Sequence, residues 1–135
     1  MIEAAAGMLA GVSSAFLAMA LNTQLAKYSK MRAVIFAGPV VEEVLKTSAA
    51  AVLGGNLILS HFIFGTVEAV YDVRKKGDRR AAIAGILAVL SQTLFGSVTV
   101  LAWGYFKSLP AGIFVACALH AGWNHWVMKL SCQKE

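Results

Sequence analysis

The stretch AVIFAGPVVEEVLKTSAAAVL, residues 33–53, decides the fold. Its length covers a hydrocarbon core of about 30 Å, yet Glu42, Glu43 and Lys46 sit at its middle. At about 1.5 Å per residue, the glutamates lie roughly 15 Å from the start of the run. A lone carboxylate at that depth in lipid costs about 2.5–3.5 kcal/mol, so these side chains must face protein or water. The run reads as a membrane-crossing helix that turns its charges into a bundle.

Outward from it lie four more apolar runs, at about 4–21, 57–73, 81–103 and 111–130. Gly54-Gly55-Asn56 reads as a tight turn, 74–80 as a wet loop, and Lys107, Ser108 and Pro110 as the last turn. The composition agrees: 59% hydrophobic and 14% charged, with a mean hydropathy of +0.69. An ordinary soluble domain has roughly a quarter of its residues charged. The expectation is a single transmembrane domain, 1–135, with its motif-bearing core at about 33–130. The fold class is all-α, a polytopic membrane helix bundle of about five transmembrane helices.

Basic residues give a separate reading of topology. Lys27, Lys30 and Arg32 lie in the first connection and none in the second; the third holds Arg74, Lys75, Lys76, Arg79 and Arg80. The fourth holds Lys107, and the tail Lys129 and Lys134. Rich and poor connections alternate, which places the N-terminus outside and the C-terminus in the cytoplasm. A four-span arrangement, with the first helix lying at the interface, is the alternative. Met1-Ile2-Glu3-Ala4 lacks the basic start of a secretory signal, so the first run is expected to stay as a span. The net charge of +5 does not indicate nucleic acid, because the basic residues form no stripe and have no interleaved aromatics. Cys117, inside a run, and Cys132, near the tail, suggest neither a disulfide framework nor a zinc site.

Four runs bring polar groups to one depth. Glu68 is about eleven residues into its run, Gln92 about as far into the next, and His120 about nine into the last. Lys46 can neutralise Glu42 at i,i+4 or Glu43 at i,i+3. Phe64, Glu68 and Tyr71 share a face with His61 two turns before Glu68, and His120 and Asn124 share another. Small residues at Gly7, Gly11, Ala49, Ala50, Ala51 and Gly96 permit close helix approach. Each polar group also has a structural reading. Glu42 with Lys46 can be a packing ion pair, His120 a core histidine bonded to a carbonyl, and Glu68 a partner of the basic loop. Gln92 reads as structural sooner than chemical. Convergence at one depth favours a shared site over separate packing roles.

Carboxylates, an imidazole and amides in a dry interior suit peptide hydrolysis by activated water, with N–H donors holding the oxyanion. No serine or cysteine has a credible base beside it, and HExxH is absent. Pro39-Val40-Val41-Glu42-Glu43-Val44-Leu45-Lys46 resembles the EExxK motif of PrsW-type intramembrane glutamic proteases, relatives of the CAAX- and bacteriocin-processing enzymes. Phe64-Gly65-Thr66-Val67-Glu68 is similar to their FxxxE motif, and His120-Ala121-Gly122-Trp123-Asn124 to their closing HxxxN motif. The resemblance implies a metal- and cofactor-free endopeptidase in a prokaryotic cytoplasmic membrane, cutting a membrane-anchored protein or peptide. It implies that Glu42 or Glu43 activates the water, with the other orienting it or binding Lys46. Glu68 is the second-motif group, and His120 and Asn124 lie on the oxyanion side; Lys46, Phe64 and Gln92 support them. One departure is clear: PrsW-type proteins carry a further histidine where this chain has Gln92, and an amide cannot shuttle protons. An inactive relative that acts as a membrane binding or immunity protein stays open. So does a proton-coupled transporter using the same carboxylates.

Overall fold

A computed structural model describes residues 1–132; Lys134, counted above with the tail, lies outside them. The described residues form an all-α bundle of five helices without a strand. The first, α1, is Ile2–Ala26. The second, α2, is continuous over 30–52: a turn at Lys30–Arg32, a π-helical segment Ala33–Ala37, and an α-helix Gly38–Val52. Then come α3, Leu57–Lys76, α4, Arg79–Phe106, and α5, Leu109–Cys132. Two of them, α1 and α4, are long and apolar enough to cross a membrane by length and composition.

The helices outrun the apolar runs at most ends. α1 continues five residues past Leu21, because Asn22, Thr23 and Gln24 change the polarity of the chain without breaking its hydrogen bonding; Thr23 Oγ1 donates to Met19 O at 2.7 Å. The expected wet loop at 74–80 is mostly helix. Asn56 opens α3 by accepting from Leu59 N at 2.9 Å, and Gly77, at φ 68°, closes it in the left-handed region. Asp78 opens α4 by accepting from Ala81 N at 2.7 Å.

α2 sits against α1, α3 and α5, while α4 packs on α3 and α5. The buried face of α1 is Gly7, Ala10, Gly11, Ser14, Ala15 and Ala18, a stripe of small residues at helical spacing. A Cβ on Gly11 would come within 2.5 Å of Ser60 O, so α1 and α3 approach this closely because position 11 has no side chain. Bulky apolar side chains point outward instead: Phe114 is 74% exposed, Leu101 72%, Phe16 62% and Phe36 61%. Lys46, Glu43, His61, Thr47 and Ser60 are fully buried. The bundle is polar at its centre and apolar on its surface.

Candidate functional site

The site begins with a defect in α2. Gly38 N–H reaches back five residues to Ala33 O, and Pro39, next in line, has no N–H. Val34 O therefore lacks the partner that the π pattern assigns it. Asn124 of α5 supplies one, donating from Nδ2 at 2.8 Å. The wider π turn is followed at once by Glu42, Glu43 and Lys46, which face the bundle interior.

Lys46 is the hub. Its ammonium pairs with Glu43 Oε1 at 2.7 Å, donates to Gln92 Oε1, and stands 4.7 Å from the centre of the Phe64 ring. Glu43 Oε1 also meets His120 Nδ1 at 2.8 Å. A carboxylate without a proton can only accept, so His120 donates from Nδ1 and presents Nε2 on its other side. That nitrogen faces Glu42 Oε2 at 3.7 Å, beyond direct hydrogen bonding. The His120 ring stacks on Phe95, centroid to centroid 4.7 Å, which fixes its plane.

Gln92 ties the remaining carboxylates together. Its Nε2 donates to Glu42 Oε2 at 3.1 Å and to Glu68 Oε2 at 3.2 Å. Asn22 Nδ2 donates to Glu42 Oε1 at 2.9 Å. The six polar groups singled out in the sequence on four helices, Glu42, Glu43, Lys46, Glu68, Gln92 and His120, thus form one network, and Phe64 is its apolar wall. Asn124 stands one turn from His120, tied to α2. A cavity of about 170 Å³ adjoins the network, lined by Glu68, Ser91, Gln92, His120, Trp123 and Asn124, among others. Glu42 keeps slight exposure, whereas Glu43 has none.

Three contributors were not singled out as site residues in the sequence. Asn22 lies just past the apolar run at about 4–21, and only the extra helical turn of α1 carries it to Glu42. His61 shares the Glu68 face of its helix, and the sequence names no partner for it; its Nε2 lies 3.1 Å from Thr47 Oγ1, and its Nδ1 3.8 Å from Glu43 Oε2. Thr47 gave no signal beyond its i,i+4 spacing from Glu43. Gly96 makes room for His61: a Cβ there would stand 2.7 Å from the imidazole. Among the described residues, no group of three or more His, Cys, Asp or Glu side chains has the arrangement of a metal site. The Lys46 ammonium is the cation that compensates Glu43. No protein-family model, curated protein or solved structure matches this chain, so what the site does is argued from its own residues and geometry.

Proposed function

We propose that this chain is an integral membrane protein of five spans, N-terminus outside, and that it is a PrsW-type intramembrane endopeptidase using glutamate-activated water. The membrane part draws on the apolar surface and polar centre, which is the reverse of what water demands. α2, α3 and α5 fall short of a span by length and composition for different reasons: the α-helical part of α2 has 15 residues and carries Glu42, Glu43 and Lys46, α3 carries Glu68, Asp72 and a basic end, and α5 carries His120, Asn124 and His125. Glu42, Glu43, Lys46, His61 and His120 are buried inside the bundle, away from its apolar surface.

One observation carries the peptidase reading: His120 is held between two carboxylates, Glu43 at Nδ1 and Glu42 across from Nε2, beside a polar-lined cavity. Glu43, buried and compensated by Lys46, orients the imidazole in the way a triad aspartate does. Glu42 is the base. It takes a proton from a water as the water oxygen bonds to the scissile carbonyl carbon, and the carbonyl oxygen becomes an oxyanion. The proton taken by Glu42 moves on to His120 Nε2, which it faces, and makes that nitrogen a donor to the oxyanion. The C–N bond then breaks and the proton passes to the leaving amine. Asn124 has a second N–H beyond the one given to Val34, so it can also donate into the cavity that it lines.

The test is cleavage of a peptide library by the purified protein in detergent, with and without chelator. Glu42→Gln abolishes cleavage on this reading, and chelator leaves it unchanged. Activity intact in both Glu42→Gln and Glu43→Gln removes the glutamate mechanism. A non-catalytic relative is the second reading. It rests on Gln92, whose carbonyl and amide are both engaged by Lys46, Glu42 and Glu68, locking the carboxylates where PrsW-type proteins have a histidine. Gln92→His separates the two: gain of cleavage in an inert parent supports the second reading.

A further inference from the structure

Two apolar grooves run along opposite sides of α3 and meet at one arginine. The first, about 410 Å³, lies between α3 and α4 and is lined by Ala69, Val73, Ala82, Gly85 and Ile86 with Val70 and Arg74. The second, about 310 Å³, lies between α1 and α3 and is lined by Phe16, Met19, Val67 and Tyr71, again with Val70 and Arg74. Val70 and Arg74 are one turn apart and form the ridge between the grooves. From Thr66 to Arg74 the α3 wall is about 12 Å long, apolar toward the bundle centre and charged at its end.

The charges at that end are uneven. Lys76 pairs with Asp72 at 3.4 Å, and Lys75 lies over the Tyr71 ring, 5.7 Å from its centroid. Among the described residues, no carboxylate pairs with Arg74. Arg79 and Arg80, at the start of α4, add exposed positive charge nearby. An apolar trough with an uncommitted guanidinium at its rim matches a phospholipid in charge and in polarity, and Arg binds phosphate through a planar fork.

We propose that this end of α3 is a binding site for a two-chain phospholipid with an anionic headgroup. The phosphate seats on Arg74, one acyl chain fills each groove, and Val70 parts them. The proposal rests on the membrane part of the reading above and is independent of peptidase activity.

Protein purified in a neutral detergent is titrated with phosphatidylglycerol, with phosphatidylcholine of the same chains, with lyso-phosphatidylglycerol, and with sodium phosphate, read by native mass spectrometry. Wild type should bind phosphatidylglycerol at least tenfold more tightly than phosphatidylcholine. Arg74→Gln should erase that preference, and Arg80→Gln should keep it. Ala82→Phe, at an exposed groove position, should weaken phosphatidylglycerol binding and leave the single-chain lipid bound as before. Equal binding of the two headgroups, a preference surviving in Arg74→Gln, or displacement of the lipid by free phosphate at matched concentration would overturn the site. Flotation with phosphatidylcholine vesicles isolates the underlying premise. Protein that fails to float refutes the membrane reading and this site with it; protein that floats but has no headgroup preference refutes the site alone.

Discussion

α4 runs from Arg79 to Phe106 without a break, whereas α2 covers 30–52 in three segments, two α-helical with a π-helical one between them. α4 meets the composition of a membrane span and contributes one polar group, Gln92, to the central network. α2 does not meet it, yet contributes Glu42, Glu43 and Lys46. A regular helix satisfies its own backbone and needs its neighbours only for packing. An irregular one frees backbone carbonyls and lends its charges, so it depends on its neighbours for both: Asn124 for Val34 O, and Asn22, Gln92 and His120 for the carboxylates. Structural regularity and chemical potential are divided between the two helices.

The division is broken most severely by removing the hub. Lys46→Met leaves Glu43 buried and uncompensated, and loss of one partner of a buried pair costs about 3–5 kcal/mol. Unfolding of the variant in mixed micelles should show it, and the double change Glu43→Leu with Lys46→Met should recover most of the loss. A double variant as unstable as the single one would mean that Lys46 matters for packing and not for charge.

A smaller effect is expected where α4 meets the site. Gly96→Ala drives a methyl into the His61 ring, and overpacking of this kind costs about 1–3 kcal/mol. The same unfolding measurement checks it, and an unchanged transition would show that His61 can retreat freely. Smaller again is Asn124→Ala, which leaves Val34 O without its donor. Side-chain hydrogen bonds in membranes average about 0.6 kcal/mol and reach about 1.7, so the loss should fall in that range. Amide exchange confined to the start of α2 should rise. At the end of the series stands Leu101→Ala on the outer face of α4, 72% exposed, which should change stability by less than about 0.5 kcal/mol. A large loss there would mean that this face is covered by another protein surface.

Topology offers a different way to sharpen the contrast. In the proposed orientation, N-terminus outside, both α2 and α4 enter from the cytoplasmic side. Single cysteines placed at Arg74 or Arg80 in a background without Cys117 and Cys132 should resist a membrane-impermeant thiol reagent in intact cells and react after lysis. Labelling in intact cells would reverse the orientation.

The sequence by itself determined the all-α architecture, the order of the helices and the polar groups that demand a shared interior. Long apolar runs with charged groups at their middle favour helices that turn those groups toward one another, because a buried carboxylate without a partner is costly. It also brought Glu43 within reach of Lys46, since i,i+3 contact is local geometry. Helix ends were legible only to within a turn, because polarity changes at Leu21 and Val73 while backbone hydrogen bonding continues to Ala26 and Lys76. Only the tertiary structure decided the rest. Both Glu42 and Glu43 are within helical reach of Lys46 in sequence, and the fold pairs Lys46 with Glu43, whose Oε1 also takes His120 from seventy-seven positions away. Asn22, His61 and Asn124 found their partners through helix packing, and no local pattern encodes the distance between side chains on different helices.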